Sequence, residues 1–215
     1  MAMAQAGLSR RALSKERRRQ QLIDATIKCI SMKGLGSLTL ADVAREAGLS
    51  QGIINLHFNS KDNLLGETLR YLVEDYDDQF MQTVEKSAGG AAETLLALME
   101  MDLKPAVCDR KKLAVWFAFW GEVKAVPTYQ QICAAYDDKF GKIILDLCQS
   151  IVSDGNYHGV DPRVVADALS SMTDGLWLSC LINPKAFDRN EAMRCVYSYL
   201  RVMFPDHYKA EADLQ

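Results

Sequence analysis

The chain has 215 residues, of which 49% are hydrophobic and 25% are charged. This is enough for one or two globular domains with a substantial core, and no low-complexity tract is present. No apolar run approaches the length that spans a membrane, about 20 residues, and residues 1–20 lack an apolar segment. We therefore expect no transmembrane helix, no secretory signal, no membrane partner and a cytoplasmic protein.

The charge is unevenly distributed along the chain, whose formal net charge is −3 at pH 7. Residues 1–70 contain 11 Lys and Arg against 6 Asp and Glu, whereas residues 71–215 contain 14 against 22. A basic segment followed by an acidic one is typical of a DNA-binding module attached to a domain with another task.

The N-terminal residues 1–14 are predicted to form a flexible basic arm, and Ser14 is a candidate cap for a first helix that runs to about Met32. Arg17, Arg18 and Arg19 fall in its first turns, where positive charge opposes the helix dipole. Such a cluster favours contacts with phosphates, and the alternative is a solvated run of charges.

Residues 15–60 are predicted to hold a helix-turn-helix. One short helix shows apolar residues at helical spacing: Leu40, Val43, Ala44 and Ala47. Gly48 ends this helix, and Ser50 is a good N-cap for the next one. In the second helix Ile54 and Phe58 continue the inner face.

Five residues of the second helix are predicted to turn at least partly outward: Gln51, Gly52, Ile53, Asn55 and His57. This set is short, polar and little charged, which suits the reading of base edges. The alternative is a helical hairpin that binds no nucleic acid.

The threonine start at Thr39, the AxxAGLSxG core and the HFxSKxxLL segment resemble the DNA-binding domain of the TetR family of bacterial repressors. The chain departs from this family at Asn55, where many members have a tyrosine that contacts phosphate, and at Leu56, where a histidine is common. In this family the lysine that matches Lys61 contacts the DNA backbone. The predicted DNA-binding residues are Arg17, Arg18, Thr39, Ser50, Gln51, Gly52, Ile53, Asn55, His57 and Lys61.

Residues 61–208 are predicted to form a ligand-binding and dimerisation domain, followed by a polar tail at 209–215. Every stretch reads as helix with short breaks, and none alternates as strands do, so the expected fold is all-α, with a three-helix N-terminal head on a C-terminal helical bundle. Asp161 and Asp188 are predicted N-caps, the latter in a pair with Glu191 that resembles a capping box. The segment 111–123 is apolar nearly all round, which predicts deep burial.

Two segments of this domain, AVWFAFWGE at 114–122 and DGLWLSCLINPKAF at 174–187, resemble the BetI group of the TetR family, which regulates osmoprotectant synthesis from choline. The resemblance implies a repressor released from its operator by a small molecule. A quaternary ammonium cation would be held by aromatic faces, each worth about 0.5–2 kcal/mol. The predicted cage is Trp116, Trp120, Tyr136, Asp174 and Trp177.

The alternatives are that these tryptophans fill the core, and that the effector is neutral or hydrophobic. The last two helices carry more apolar surface than one bundle face needs, which predicts a homodimer through them. The six cysteines are interpreted as reduced core thiols. The three histidines lie far apart and no catalytic or metal-binding motif is present, so we expect no enzyme, no metal and no cofactor.

Overall fold

The structure is a computed structural model that describes residues 10–209, so most of the predicted arm and nearly all of the predicted tail lie outside the described residues. Within that range all regular structure is helical, which confirms the predicted fold class. The helices are α1 (Arg10–Lys33), α2 (Leu40–Ala47), α3 (Gln51–Phe58), α4 (Lys61–Lys86), α5 (Ala91–Leu103), α6 (Arg110–Glu122), α7 (Pro127–Asp154), α8 (Pro162–Ile182) and α9 (Arg189–Met203). None of the described helices is both long and apolar enough to cross a bilayer.

The described residues divide into two compact units. The first unit contains the chain up to Leu72 together with Ala114–Tyr129, and the second contains Val73–Leu113 and the chain from Gln130 onward. Helix α4 contributes its first half to one unit and its second half to the other. This division differs from the predicted boundary at Lys61, which coincides with the first residue of α4.

The first helix begins earlier than expected. We predicted a cap at Ser14, but α1 already includes Arg10, so the last part of the predicted arm is helical. Arg, Ala and Leu are strong helix formers, and they extend the helix through a serine that is tolerated inside it. The predicted cap at Ser14 is therefore wrong.

The core of the first unit is built from the apolar faces of its short helices. Leu22 and Ile23 of α1, Val43 of α2 and Ile54 of α3 are fully buried. Gly48 ends α2 with φ of +63°, a left-handed conformation that glycine adopts without strain. Its N–H donates to the carbonyls of Ala44 and Arg45, which closes the turn after α2, and α2 ends at this glycine as predicted.

In the second unit, α5, α8 and α9 contact one another. Pro162 opens α8 after the cap residue Asp161, whose side chain accepts the N–H groups of Arg163 and Val164, as predicted. Asp188 also caps α9 as predicted, but the expected capping box is one-sided. The Glu191 carboxylate accepts a hydrogen bond from Arg194, its neighbour three residues on, at 2.8 Å.

Helix α6 is less uniformly buried than predicted. Val115 and Phe119 are fully buried, as is Leu113, whereas Trp116 and Trp120 are half-buried. In a helix with apolar residues on every side, sequence periodicity does not say which face turns inward. The cysteine prediction also holds in part, because Cys29, Cys108, Cys148 and Cys180 are buried and Cys195 is exposed.

Candidate DNA-binding and effector-binding sites

A reciprocal cap fixes the start of α2. The Thr39 side chain accepts the N–H of Asp42, and the Asp42 carboxylate accepts the backbone N–H of Thr39 at 3.1 Å. Lys33 forms an ion pair with the same carboxylate. The Lys33 ammonium and the Thr39 hydroxyl hold the pKa of Asp42 well below its usual range. Thr39 thus caps α2, and its contact with DNA stays a prediction.

Helix α3 buries one narrow face and exposes the rest. Ser50 precedes it with an extended backbone, but its side chain makes no capping hydrogen bond. Ile54 and Phe58 are buried, Gln51 and Asn55 are exposed, and Ile53 and His57 are partly covered. At about 100° per residue, Gly52 and Leu56 lie directly opposite the buried pair. Sequence analysis left Leu56 out of the outward set, although the helical period alone would have included it.

Positive charge lies beside the C-terminal half of α3. Arg17 and Arg18 are exposed, and neither forms an ion pair with another described residue. Partial burial lowers the pKa of His57, and the charges of Lys15 and Arg18 lower it further, so these α1 cations lie near that imidazole. This arrangement presents cations next to the polar residues of α3.

Two of the cations predicted to contact phosphates bond other groups of the same chain. Arg19 pairs with Glu67 of α4 and with Glu16 of its own helix, so the predicted three-arginine cluster is reduced to Arg17 and Arg18. The Lys61 ammonium donates to the carbonyl oxygen of Leu38 at 2.5 Å and is only partly exposed. That hydrogen bond joins the first residue of α4 to the segment before α2.

The second unit contains an aromatic cluster that the sequence analysis assembled only in part. Tyr76 meets Phe140 edge-on at 4.9 Å and Trp177 edge-on at 5.8 Å between ring centroids. Phe80 and Tyr136 lie 4.7 and 5.9 Å from Phe140. We call these five residues, from α4, α7 and α8, the aromatic cluster.

A buried carboxyl group adjoins this aromatic cluster. Asp102, near the end of α5, is 4% exposed. Its Oδ1 accepts the Tyr76 hydroxyl at 2.7 Å, and its Oδ2 accepts the Thr173 hydroxyl at 3.4 Å. Its backbone oxygen accepts the Trp177 indole N–H at 2.8 Å. Burial raises the pKa of Asp102 to about 7, against the lowering effect of the two hydroxyl hydrogen bonds.

Sequence analysis missed Asp102 as a site residue, although a signal was present. Leu95, Leu98, Met99 and Asp102 follow helical spacing, so one acidic residue continues the apolar stripe of α5. An acidic residue in such a stripe is either paired or neutral when buried, because an isolated charge is costly there.

Asp174 adds a second carboxyl group at the rim of the aromatic cluster. Its side chain is exposed on one side, yet partial burial raises its pKa to about 6, with a further contribution from the charge of Asp137. Burial is the main cause of the raised pKa values of Tyr76 and Asp102, and the Asp174 charge adds to both.

The predicted cage residues fall into two groups. Trp116 and Trp120 belong to the first unit, where their ring centroids are 6.0 Å apart. Tyr136, Asp174 and Trp177 belong to the second unit, where Phe140 and Tyr76 connect the two rings. Trp177 is buried and its N–H is already bonded, so one edge of this side chain has a structural role.

Comparison with known proteins gives the family. Residues 22–68 match the bacterial regulatory protein, TetR family, model, and residues 91–205 match the model of the BetI-type transcriptional repressor C-terminal domain. This chain belongs to the TetR family. It is a transcriptional repressor with a BetI-type C-terminal domain, and its family consists of regulators rather than enzymes.

Individual relatives agree with this TetR-family assignment. The transcriptional regulator BetI of Ectopseudomonas mendocina is 30% identical over 196 residues, which cover 85% of this chain and 91% of that protein. BetI of Pectobacterium carotovorum is 27% identical over 188 residues, which cover 85% and 92%.

Solved structures of transcriptional regulators share the fold of this chain. A transcriptional regulator from Pseudomonas aeruginosa PAO1 is 24% identical with a TM-score of 0.80, covering 90% of this chain and 95% of that one. A transcriptional regulator from Saccharomonospora viridis, solved in complex with choline, is 23% identical with a TM-score of 0.78, covering 86% and 96%.

The raised pKa of Asp102 predicts that this repressor loses stability as pH rises. Its folded pKa of about 7 lies above the ordinary value of 3.8, so the neutral carboxyl favours folding. That contribution is fully present below about pH 4 and is lost as pH rises through about 7. We expect Asp102→Asn, a neutral isostere, to stabilise the protein by about 2–4 kcal/mol at pH 8 and to change little at pH 4.

Thermal and urea unfolding of the wild type and Asp102→Asn at pH 4–8 measure this difference. Asp146→Asn is the matched control, because Asp146 is exposed on α7 and pairs with Lys142 at the surface. Its unfolding free energy should follow the wild-type pH profile. An Asp102→Asn variant that is equally destabilised at every pH would contradict a neutral Asp102.

Proposed function

We propose that a quaternary ammonium cation of the choline type releases this repressor from its operator by binding at the aromatic cluster, beside Asp102 and Asp174. Such a cation has no N–H to donate, so aromatic faces and nearby negative charge are the groups that can select it. The aromatic cluster supplies the faces, and the two carboxyl groups supply negative charge once a bound cation stabilises their ionised forms.

The observation that carries this proposal is that two carboxyl groups beside the aromatic cluster, those of Asp102 and Asp174, have no ion-pair partner among the described residues. The cluster already accommodates one cation at its edge, because the Lys139 ammonium lies 5.9 Å from the centroid of the Phe140 ring. Among the described residues, Lys112 pairs with Asp75 and Lys139 pairs with Asp77. Asp102 and Asp174 appear in no ion pair of the described residues, and the pKa values of both are raised. A bound cation would stabilise their ionised forms, because an opposite charge within a few ångströms favours ionisation.

The choline found in the Saccharomonospora viridis regulator supports this ligand class, since that protein has the same fold. The competing proposal is a neutral or hydrophobic effector of similar size. The cationic and the neutral effector can be distinguished by measuring how much the positive charge of the ligand contributes to the binding free energy.

Helix α4 would transmit ligand binding to the DNA-binding residues. Its second half carries Tyr76 and Phe80 of the aromatic cluster, and its first residue, Lys61, holds the carbonyl of Leu38. Lys61 and Tyr76 are about 22 Å apart at 1.5 Å per residue along one continuous helix. A ligand that prefers one position of α4 shifts the repressor away from its DNA-bound state by its differential affinity for the two.

On the operator, α3 would enter the major groove while Arg17 and Arg18 of α1 contact phosphates. The exposed side chains of Gln51 and Asn55 have the donors and acceptors that read base edges, and the α1 cations supply affinity that does not depend on sequence. A two-fold operator then requires two heads about 34 Å apart or a multiple of that distance.

The two heads would be joined by a homodimer through α8 and α9. Val164, Leu178 and Ile182 of α8 and Val202 of α9 are large hydrophobic side chains that remain exposed in the single chain. Leu178 and Ile182 also line a groove of about 500 Å³ that reaches α9 at Ala192 and Cys195. Burial of such side chains against a second copy would stabilise a four-helix interface.

Choline binding tests the effector proposal by isothermal titration calorimetry. We expect choline to bind the wild type at least about tenfold more tightly than 3,3-dimethylbutan-1-ol, its neutral isostere, a difference of about 1.4 kcal/mol. Asp174→Asn should weaken choline binding by about tenfold and leave the isostere unchanged, because only the charge interaction is lost.

The control for this titration is Asp146→Asn, which removes a carboxylate of α7 that pairs with Lys142. It should bind both ligands as the wild type does. Equal affinities of the wild type for choline and for its isostere would favour the neutral effector.

The dimer prediction concerns Ile182, which is 72% exposed in the single chain. Ile182→Glu places a charge in the apolar interface, so the dimer should dissociate and operator affinity should fall by more than about tenfold. Analytical ultracentrifugation measures the mass and fluorescence anisotropy measures the affinity.

Met32→Glu makes the same chemical change at a side chain that is 66% exposed on α1. It should remain dimeric. A dimeric Ile182→Glu variant would place the interface elsewhere.

The phosphate contacts predict a change in salt dependence. Each lost phosphate contact reduces the magnitude of the slope of log affinity against log salt by about 0.9. Arg18→Gln removes one contact from each protomer of a dimer, so the magnitude of the slope should fall by about 2. Arg163→Gln, an exposed cation of the second unit, should leave the slope unchanged. Titrations of operator DNA at about 50–300 mM salt measure these slopes. An unaltered slope for Arg18→Gln would exclude this phosphate contact.

A further inference from the structure

Leu56 is an exposed apolar side chain at the centre of the outward face of α3. It is 71% exposed, while Ile54 and Phe58 on the opposite side are buried. Single exposed leucines are common on protein surfaces, so exposure alone says little. The position of Leu56 gives its exposure a meaning, because the middle of this face lies deepest in a groove that α3 enters.

Gly52 lies one turn before Leu56 on the same face. A Cβ added there would meet nothing within 4 Å except the Ser50 hydroxyl oxygen at 3.8 Å. Gly52 does not have a positive φ either. Neither internal packing nor backbone conformation therefore requires a glycine, and its effect is to leave open space in front of α3 beside Leu56.

The surroundings of this apolar spot suit nucleic acid rather than an apolar protein partner. Gln51 and Asn55 are exposed along one side of it. His57 borders the other side, with the charges of Lys15 and Arg18 near its ring. An apolar protein surface would have to desolvate these groups, whereas DNA offers them phosphates and base edges.

The major groove offers an apolar side chain one distinctive partner. Base edges there present hydrogen-bond donors and acceptors, except for the C5-methyl group of thymine. A leucine makes no hydrogen bond, so it can select a base only through this methyl group and its shape.

We propose that Leu56 is a specificity-determining residue that packs against the C5-methyl group of a thymine in each operator half-site, with Gly52 allowing the close approach. This inference rests on the proposed insertion of α3 into the major groove. Leu56 then selects thymine at one position, while Gln51 and Asn55 read neighbouring bases by hydrogen bonding.

The test begins with full-length protein and a pool of synthetic duplexes with a randomised central region. Repeated selection yields a preferred site, and chemical synthesis ensures that thymine is its only C5-methylated base. Each thymine is then replaced by deoxyuridine, which removes the methyl group and keeps base pairing. Dissociation constants are measured by fluorescence anisotropy for the wild type, Leu56→Ala and Met32→Ala.

We expect one thymine position at which deoxyuridine weakens wild-type binding about fourfold per half-site, as burial of one methyl group predicts. Leu56→Ala should bind the two duplexes equally at that position. Met32→Ala changes an exposed apolar residue near the C-terminal end of α1 and should retain the wild-type ratio of the two dissociation constants. Circular dichroism should show unchanged unfolding temperatures for both variants.

The inference is overturned if deoxyuridine is tolerated at every position by the wild type, or if Leu56→Ala keeps the full methyl preference. Failure of the pool to enrich any sequence would instead contradict operator binding itself. The two failures are therefore distinguishable.

Discussion

Two hydrogen bonds of helix α4 tie its two halves to the two candidate sites. Near its start the Lys61 ammonium holds the carbonyl of Leu38, and in its second half the Tyr76 hydroxyl holds the buried carboxyl of Asp102. The first bond concerns the segment that leads into α2, and the second belongs to the aromatic cluster. One unbroken helix supplies both donors, and the proposed release from DNA depends on that continuity.

The two ends of the chain carry opposite net charge. The first 70 residues are net positive and leave Arg17 and Arg18 exposed, whereas the remainder is net negative and keeps Asp102 and Asp174 without cationic partners among the described residues. Raised carboxyl pKa values record the cost of this arrangement, because an unpaired buried charge is unfavourable. Under the proposed function, a bound cation would offset this cost.

Local signals explain why much of the fold was predictable. The end of α2 was predicted correctly because Gly48 acts on its immediate neighbours. Ser50 marked the start of α3 correctly by its position, although its side chain makes no capping hydrogen bond. The start of α1 was not predicted correctly, since a serine followed by good helix formers can cap a helix or lie inside one. The orientation of α6 was not either, because its apolar residues surround the axis and only tertiary packing chose Val115 and Phe119 for burial.

In the candidate sites too, local features were predictable from the sequence and tertiary contacts were not. The outward residues of α3 follow from the helical period, so this part was predictable, including Leu56, which the sequence prediction omitted. The aromatic cluster depends on contacts between Tyr76, Phe140 and Trp177, which are far apart in sequence and which no local pattern specifies. Asp102 could have been singled out as an acidic residue in an apolar stripe, but its partners Tyr76 and Thr173 could not.

The most direct measurement is the effect of choline on operator affinity. Full-length protein is titrated onto a labelled duplex carrying its selected site, in about 100 mM salt, with increasing choline and with 3,3-dimethylbutan-1-ol in parallel. We expect choline to weaken DNA binding to a plateau set by its differential affinity for the two states, and the isostere to do so far less. DNA affinity that stays constant while calorimetry shows choline bound would contradict coupling through α4.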